Sequence, residues 1–136
     1  MTTPDRILVE VAPGELLDKI TILQIKSQRI TDPDKLKNVR TELRVLEAVR
    51  QRAIPPSPEL DELTVQLKQS NEILWDIEND VRDCESRGDF GEQFVRLARS
   101  VYHNNDRRAA LKRSINELLG SRLMEEKSYE GEAEQP

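Results

Sequence analysis

The chain holds a single cysteine, Cys84, and a single histidine, His103, among its 136 residues. One cysteine can close no internal disulfide and build no cysteine-based metal site, a usage expected in a reducing cytoplasm. Aromatic residues make up only 4% and there are 5 glycines. No glycine-rich phosphate loop, zinc-ligand spacing or serine-centred nucleophile motif is present, so no cofactor is expected. Nothing approaches the roughly 20 apolar residues of a membrane-spanning helix. The opening MTTPDRILVEV lacks the basic-then-apolar layout of a signal peptide. A net charge of −5 argues against the dense basic footprint of a nucleic-acid binder. The expectation is a soluble cytoplasmic protein with neither nucleic acid nor membrane as partner.

What the chain does have is charge and periodicity. Charged residues supply 35% and apolar residues 36%, and the apolar ones recur at helical spacing, which a disordered chain has no need of. Ile7, Val9 and Val11 alternate as a short strand-like lead-in, stopped at Pro13-Gly14. A first helix follows over about 15–30, with Leu16, Ile20, Leu23 and Ile30 on one stripe. Asp32-Pro33 restarts a second helix to about Ala53, bearing Leu36, Val39, Leu43, Leu46 and Val49. After the linker at 54–58, Ser57-Pro58 opens a third helix with unbroken spacing through Leu60, Leu63, Leu67, Ser70, Leu74, Ile77, Val81 and Cys84, ending at Gly88. The fourth runs from near Gly91 to Gly120 through Phe94, Leu97, Val101, Asn104, Arg108, Leu111, Ile115 and Leu118. Its phase continues across the poor helix formers His103–Asp106, so one continuous helix is read there.

The predicted fold is all-α: an antiparallel bundle of two hairpins, a short one over 14–53 and a long one over 57–120, in a single domain spanning 1–129. Residues 121–129 form either an extended segment against the N-terminal strand or a lid bringing Lys127 and Tyr129 over the polar layer. Residues 130–136 read as a frayed, disordered acidic tail.

Folding the long hairpin about Asp89 sets Cys84 opposite Phe94, Ile77 opposite Val101 and Leu67 opposite Leu111, apolar against apolar. One layer breaks this seam: Leu74 meets Asn104 and Ser70 meets Arg108, with Trp75, Tyr102 and His103 alongside. Two readings stay open. The polar residues fix register, Arg108 reaching water or a carboxylate such as Glu72. Alternatively the layer is a pocket, because a buried guanidinium needs an anion and a ligand carboxylate or phosphate would supply one. Arg108, Asn104, Trp75, Tyr102, Ser70 and Lys112 are the candidate ligand-binding residues. The acidic run DIENDVRDCE should form ion pairs across the hairpin with Arg96 and Arg99.

Other chemistries are set aside. Glu59, Glu62, Asp80 and Asp83 mimic the acidic pairs of helical nucleoside-triphosphate pyrophosphatases, but one straight helix separates the pairs by about 30 Å, so they share no metal. His103 on a polar stretch reads as a surface residue, and Cys84 on the seam as core.

The segments PGELLDKITILQIK, LWDIEND, LARSVYHNNDRRAALKRSIN and LGSRLMEEKSY resemble a bacterial family of short helical proteins known only as a domain of unknown function. The resemblance runs from about Glu10 to Tyr129. It implies that the family's signature includes the polar residues Asp18, Lys19, Asn105, Asp106, Arg107 and Lys127, more polar identity than a scaffold defined by apolar spacing requires. The functional expectation is a non-enzymatic binding or adaptor module for a partner protein or small anionic ligand. The alternative is an all-α enzyme acting on a phosphorylated or carboxylated metabolite, sugar- or nucleotide-related, at the polar layer. Because the short hairpin cannot cover the long one, Val65, Ile73 and Val95 are expected to meet a second copy or a partner's helices.

Overall fold

The computed structural model describes residues 5–129. Its elements are α1 (Pro13–Arg29), α2 (Pro33–Ala53), α3 (Pro58–Arg87) and α4 (Glu92–Leu118), with no strand among the described residues. The fold is a helical bundle, and α4 passes unbroken through His103–Asp106. The acidic tail at 130–136 lies outside the described residues.

Local chemistry sets the helix ends. The Asp32 carboxylate accepts from Asp34 N at 2.9 Å and Ser57 Oγ from Leu60 N at 3.1 Å, each followed by a proline where a helix has no use for an N–H. Gly88 ends α3 at φ 65°, a left-handed conformation that glycine adopts without strain. At α1 the sequence reading needs correction: Pro13-Gly14 starts the helix rather than stopping the strand, with Pro13 in the first turn. Ala12 at its start is extended, and the lead-in before it forms neither helix nor strand.

Helix α1 is the centre of the molecule. Eight of its 17 residues are buried, Leu17 and Ile20 completely, whereas α2, at 21 residues, buries none fully. The reason lies in LLDKITILQIK, which is apolar around most of its circumference. Leu17, Ile22 and Ile25 lie off the single stripe read from sequence, and a helix apolar on several sides seeks burial on several sides. Accordingly α1 packs against α2, α3 and α4, while α2 packs on α1 alone of the other three helices. The short hairpin therefore rests on the long one through α1, with Leu43, Leu46 and Val49 of α2 closing over the core of Leu16, Leu17, Ile20, Leu60, Leu67, Leu111 and Ile115.

Pairings along α1 fix its direction. Gly14 meets Asn116 and Asp18 meets Arg108, so α4 runs antiparallel to it. Asp18 meets Asn71 and Arg29 meets Asp76, so α3 runs parallel. Arg29, at the end of α1, holds Asp76 at 2.6 Å and Glu72 at 3.8 Å. Beyond that point α3 and α4 continue as a two-helix arm whose seam buries Ile77 and Cys84. Ion pairs expected across this arm do not form among the described residues. Arg82 turns to Glu78 and Arg87 to Asp83 on its own helix, and Arg96 and Arg99 meet no carboxylate. At i,i+4 spacing the partner on the same helix is already in reach.

Candidate functional site

The polar layer exists, and an internal anion completes it. Asp18 on α1 is 1% exposed. Its carboxylate accepts from Arg108 Nε at 2.8 Å and from Arg108 Nη2, a two-point pairing. Asn71 Nδ2 donates to Asp18 Oδ1 and to Thr21 Oγ1, both at 3.0 Å, and the Thr21 hydroxyl donates to the Asp18 carbonyl at 2.9 Å. Among the described residues no buried side-chain nitrogen or oxygen lacks a partner. The hydrogen bond to Asp18 raises the Arg108 pKa further, against the opposing pull of burial. Arg108 is thus held by Asp18 and not by Glu72, whose partner is Arg29.

The other candidates separate. Ser70 is fully buried and meets the backbone carbonyl of Asn104 at 3.5 Å, not the Arg108 guanidinium. The Asn104 carboxamide donates to Ser100 O on its own helix at 2.8 Å. Tyr102 is half exposed, with its ring 4.2 Å from that of His103. Arg108 and Trp75 do share a surface. They line a groove of about 530 Å³ where α1 runs out along the long hairpin. Its apolar lining is Ile22, Ile25, Leu74 and Trp75, and its polar lining comprises Lys26, Arg82 and Arg108 as cations, Glu78, and the carboxamides of Asn71, Asn79 and Asn105.

Sequence reasoning did not join Asn79 and Arg82 to the layer, because only the end of α1, with Lys26, brings them to it. Lys26 has no ion-pair partner among the described residues, and the same holds for hydrogen bonds to the side chains of Asn79 and Asn105. Arg82 is mostly exposed and touches Glu78 at 3.8 Å. With Asp18 neutralising Arg108 and Glu78 beside Arg82, three cations against two carboxylates leave a net charge of +1, carried by Lys26, of opposite sign to the chain as a whole. The lining includes no histidine, cysteine, serine or threonine, and Cys84 is fully buried in the arm. Nor do the described residues gather three or more metal-ligating side chains.

Lys112 lies elsewhere, in a latch between α1, α4 and the segment after α4. Its ammonium binds Glu15 at 2.7 Å and Glu125 at 2.8 Å. One turn on, Asn116 Oδ1 accepts from the buried Gly14 N–H at 2.7 Å. Residues 121–129 therefore run irregularly past this latch, and neither Lys127 nor Tyr129 lines the groove. Burial works to lower the Lys112 pKa, but the hydrogen bonds to Glu125 and Glu15 outweigh it, and the pKa is raised above the ordinary 10.5. A lysine raised on folding contributes stability that is complete below its unfolded value and lost as pH climbs through the folded one. Urea denaturation between pH 9 and pH 12 should therefore show a decline in stability above about pH 10.5 that is shallower in Lys112→Met.

No helix among the described residues is long and apolar enough to cross a membrane. No curated protein and no solved structure matches the chain. A family model does match, over residues 7–136, and its span takes in α1 with Asp18, the groove, the latch and the lead-in from Ile7. The chain belongs to DUF6165, a family of unknown function.

Proposed function

We propose that this protein is a non-catalytic binding module whose groove beside Trp75 takes a small anionic ligand bearing a flat or apolar portion. The observation that carries this reading is the collection of Lys26, Arg82 and Arg108 around an indole in a chain of net charge −5. Lys26 supplies an uncommitted ammonium. Asn79 and Asn105 supply donors and acceptors that fix orientation, and Trp75 with Ile22 and Leu74 supplies an apolar wall, the usual division of labour in a small-molecule site. Arg108 keeps one guanidinium nitrogen, Nη1, uncommitted while Asp18 holds the other two. The lining is dominated by cations and carboxamides, groups that bind and orient an anion, and on that ground we read it as a binding site rather than a catalytic one. We place the protein in the cytoplasm, in keeping with its lone buried thiol.

A thermal-shift screen against nucleotides, sugar nucleotides, sugar phosphates and dicarboxylates tests this. Ligand at 100 times its Kd adds about 2.7 kcal/mol and raises Tm by several degrees. The shift is expected to vanish in Lys26→Glu. A screen flat across all four classes contradicts the small-anion reading and favours a partner protein as the occupant.

A further inference from the structure

Asn71 is only 5% exposed, yet it lines the groove. Its orientation is set from behind. The Asp18 carboxylate can only accept, and the Thr21 hydroxyl has given its proton to the Asp18 carbonyl. The Asn71 amide nitrogen must therefore face them, and it does, at 3.0 Å from each. The amide oxygen is thereby turned away from Asp18 and Thr21. No donor among the described residues reaches that oxygen. Because no sealed-in side-chain nitrogen or oxygen among them lacks a partner, Oδ1 is open to solvent, and the groove is the opening that Asn71 lines. A buried carboxamide thus offers the groove a fixed, unpartnered acceptor, which suits a ligand hydroxyl or N–H.

The anion's place is beside it. Asn71 Nδ2 and Arg108 Nε donate to the same oxygen, Asp18 Oδ1, so the two side chains are neighbours. A donor next to the ligand's anionic group would face Asn71 when that group meets the uncommitted Arg108 Nη1. Charge then selects the kind of anion. The groove's net charge of +1 rests on Lys26, and a carboxylate brings it one negative charge. A phosphate monoester concentrates about −1.5 to −2 on a single group, more than that ammonium offsets.

We propose, building on the small-anion reading above, that the groove takes a hydroxycarboxylate. Its carboxylate meets Lys26 and Arg108 Nη1, its neighbouring hydroxyl donates to Asn71 Oδ1, and its apolar portion lies on Trp75. Of the four anion classes this selects the dicarboxylates, and among them the hydroxylated ones. A second carboxylate has Arg82 in the same groove, mostly exposed and loosely held by Glu78 at 3.8 Å. A site with an oriented acceptor for a hydroxyl discriminates against the analogue lacking it, since the acceptor is then left unpaired.

Calorimetric titration of the full chain tests this with three probes that share a benzyl group: benzylmalate, benzylsuccinate, which lacks only the hydroxyl, and benzyl phosphate. Benzylmalate is expected to bind at least roughly tenfold tighter than either of the others. The comparison needs no variant of Asn71, whose loss would also strip Asp18 of a partner. Asn79→Ala and Asn105→Ala change the other carboxamides of the groove, and each should weaken the two acids alike and keep their ratio. A ratio lost in either variant would move the hydroxyl off Asn71 and overturn the proposal. Benzylsuccinate or benzyl phosphate binding as tightly as benzylmalate would overturn it too, yet leave the small-anion reading in place if Lys26→Glu abolishes that binding. No binding of any of the three also overturns it, and the small-anion reading falls with it only if the four-class screen is flat as well.

Discussion

Arg108→Met is expected to destabilise the fold by about 3–5 kcal/mol, because it leaves the Asp18 carboxylate buried without its counter-charge. Asp18 is 1% exposed and cannot turn to water, and Asn71 alone does not replace the guanidinium. Against a total stability of about 5–15 kcal/mol the loss is severe. The reciprocal change should be milder. Asp18→Leu strands a guanidinium whose side chain is still 30% exposed, so Arg108 can recover hydration through the groove. The double variant Asp18→Leu/Arg108→Met should regain most of what Arg108→Met loses, as apolar replacement of a buried pair often does. Urea denaturation of the four proteins gives the coupling directly. Arg108→Met as stable as the parent chain would show that the pair does not hold the layer together.

Gly14→Ala is the second large effect, and its sign runs against propensity. Alanine in a helix ordinarily gains about 0.5–1 kcal/mol over glycine. Here a Cβ would lie 2.5 Å from the backbone carbonyl oxygen of Lys112 and 2.8 Å from Asn116 Oδ1. A carbonyl of α4 cannot rotate aside, so α1 and α4 must separate, at about 1–3 kcal/mol for the forced shift. Separation also weakens the Asn116 acceptor on the buried Gly14 N–H, and an unsatisfied buried donor costs a further 1–3 kcal/mol or so. The net expectation is a loss of about 1–5 kcal/mol, a fall in Tm of roughly 4–20 °C. Asn116→Ala in the same background should not restore it, because the Lys112 carbonyl remains. A Tm equal to or above the parent's would mean that the two helices do not touch at Gly14.

The parts of the fold legible in the sequence are those written locally. Asp32-Pro33, Ser57-Pro58 and Gly88 mark helix ends through backbone groups a few residues away. The apolar spacing from Leu60 to Cys84 fixes a long helix whatever its neighbours. What was hidden depends on contacts distant along the chain. Asp18 opens onto Arg108 some 90 positions later, and no local rule places an aspartate at 1% exposure. Its presence among the polar residues implied by the family resemblance was the one signal that pointed to it. The hairpin register set Ser70 against Arg108, but Arg108 leaves the α3–α4 seam to meet α1, and Ser70 settles against the Asn104 backbone instead. Leu17 and Ile25 carried the clue that α1 is central, since apolar residues off the main stripe imply a second packed face.

This geometry changes what a functional variant can report. Arg108 supports the fold and lines the groove at once, so loss of ligand response in Arg108→Met would not separate the two roles. Lys26 separates them: it lines the groove, pairs with no described residue and lies outside the buried core.

Anion binding in the groove can be read from the single tryptophan. Because Trp75 lines the groove, its fluorescence reports occupancy there without a label. The parent chain and Lys26→Glu would be titrated side by side with the four anion classes at low ionic strength. A saturable change in Trp75 emission is expected for at least one class, weakened at least tenfold or lost in Lys26→Glu while the two proteins unfold at similar urea concentrations. Emission that stays flat in the parent chain, or a response that Lys26→Glu leaves intact, would contradict anion binding there.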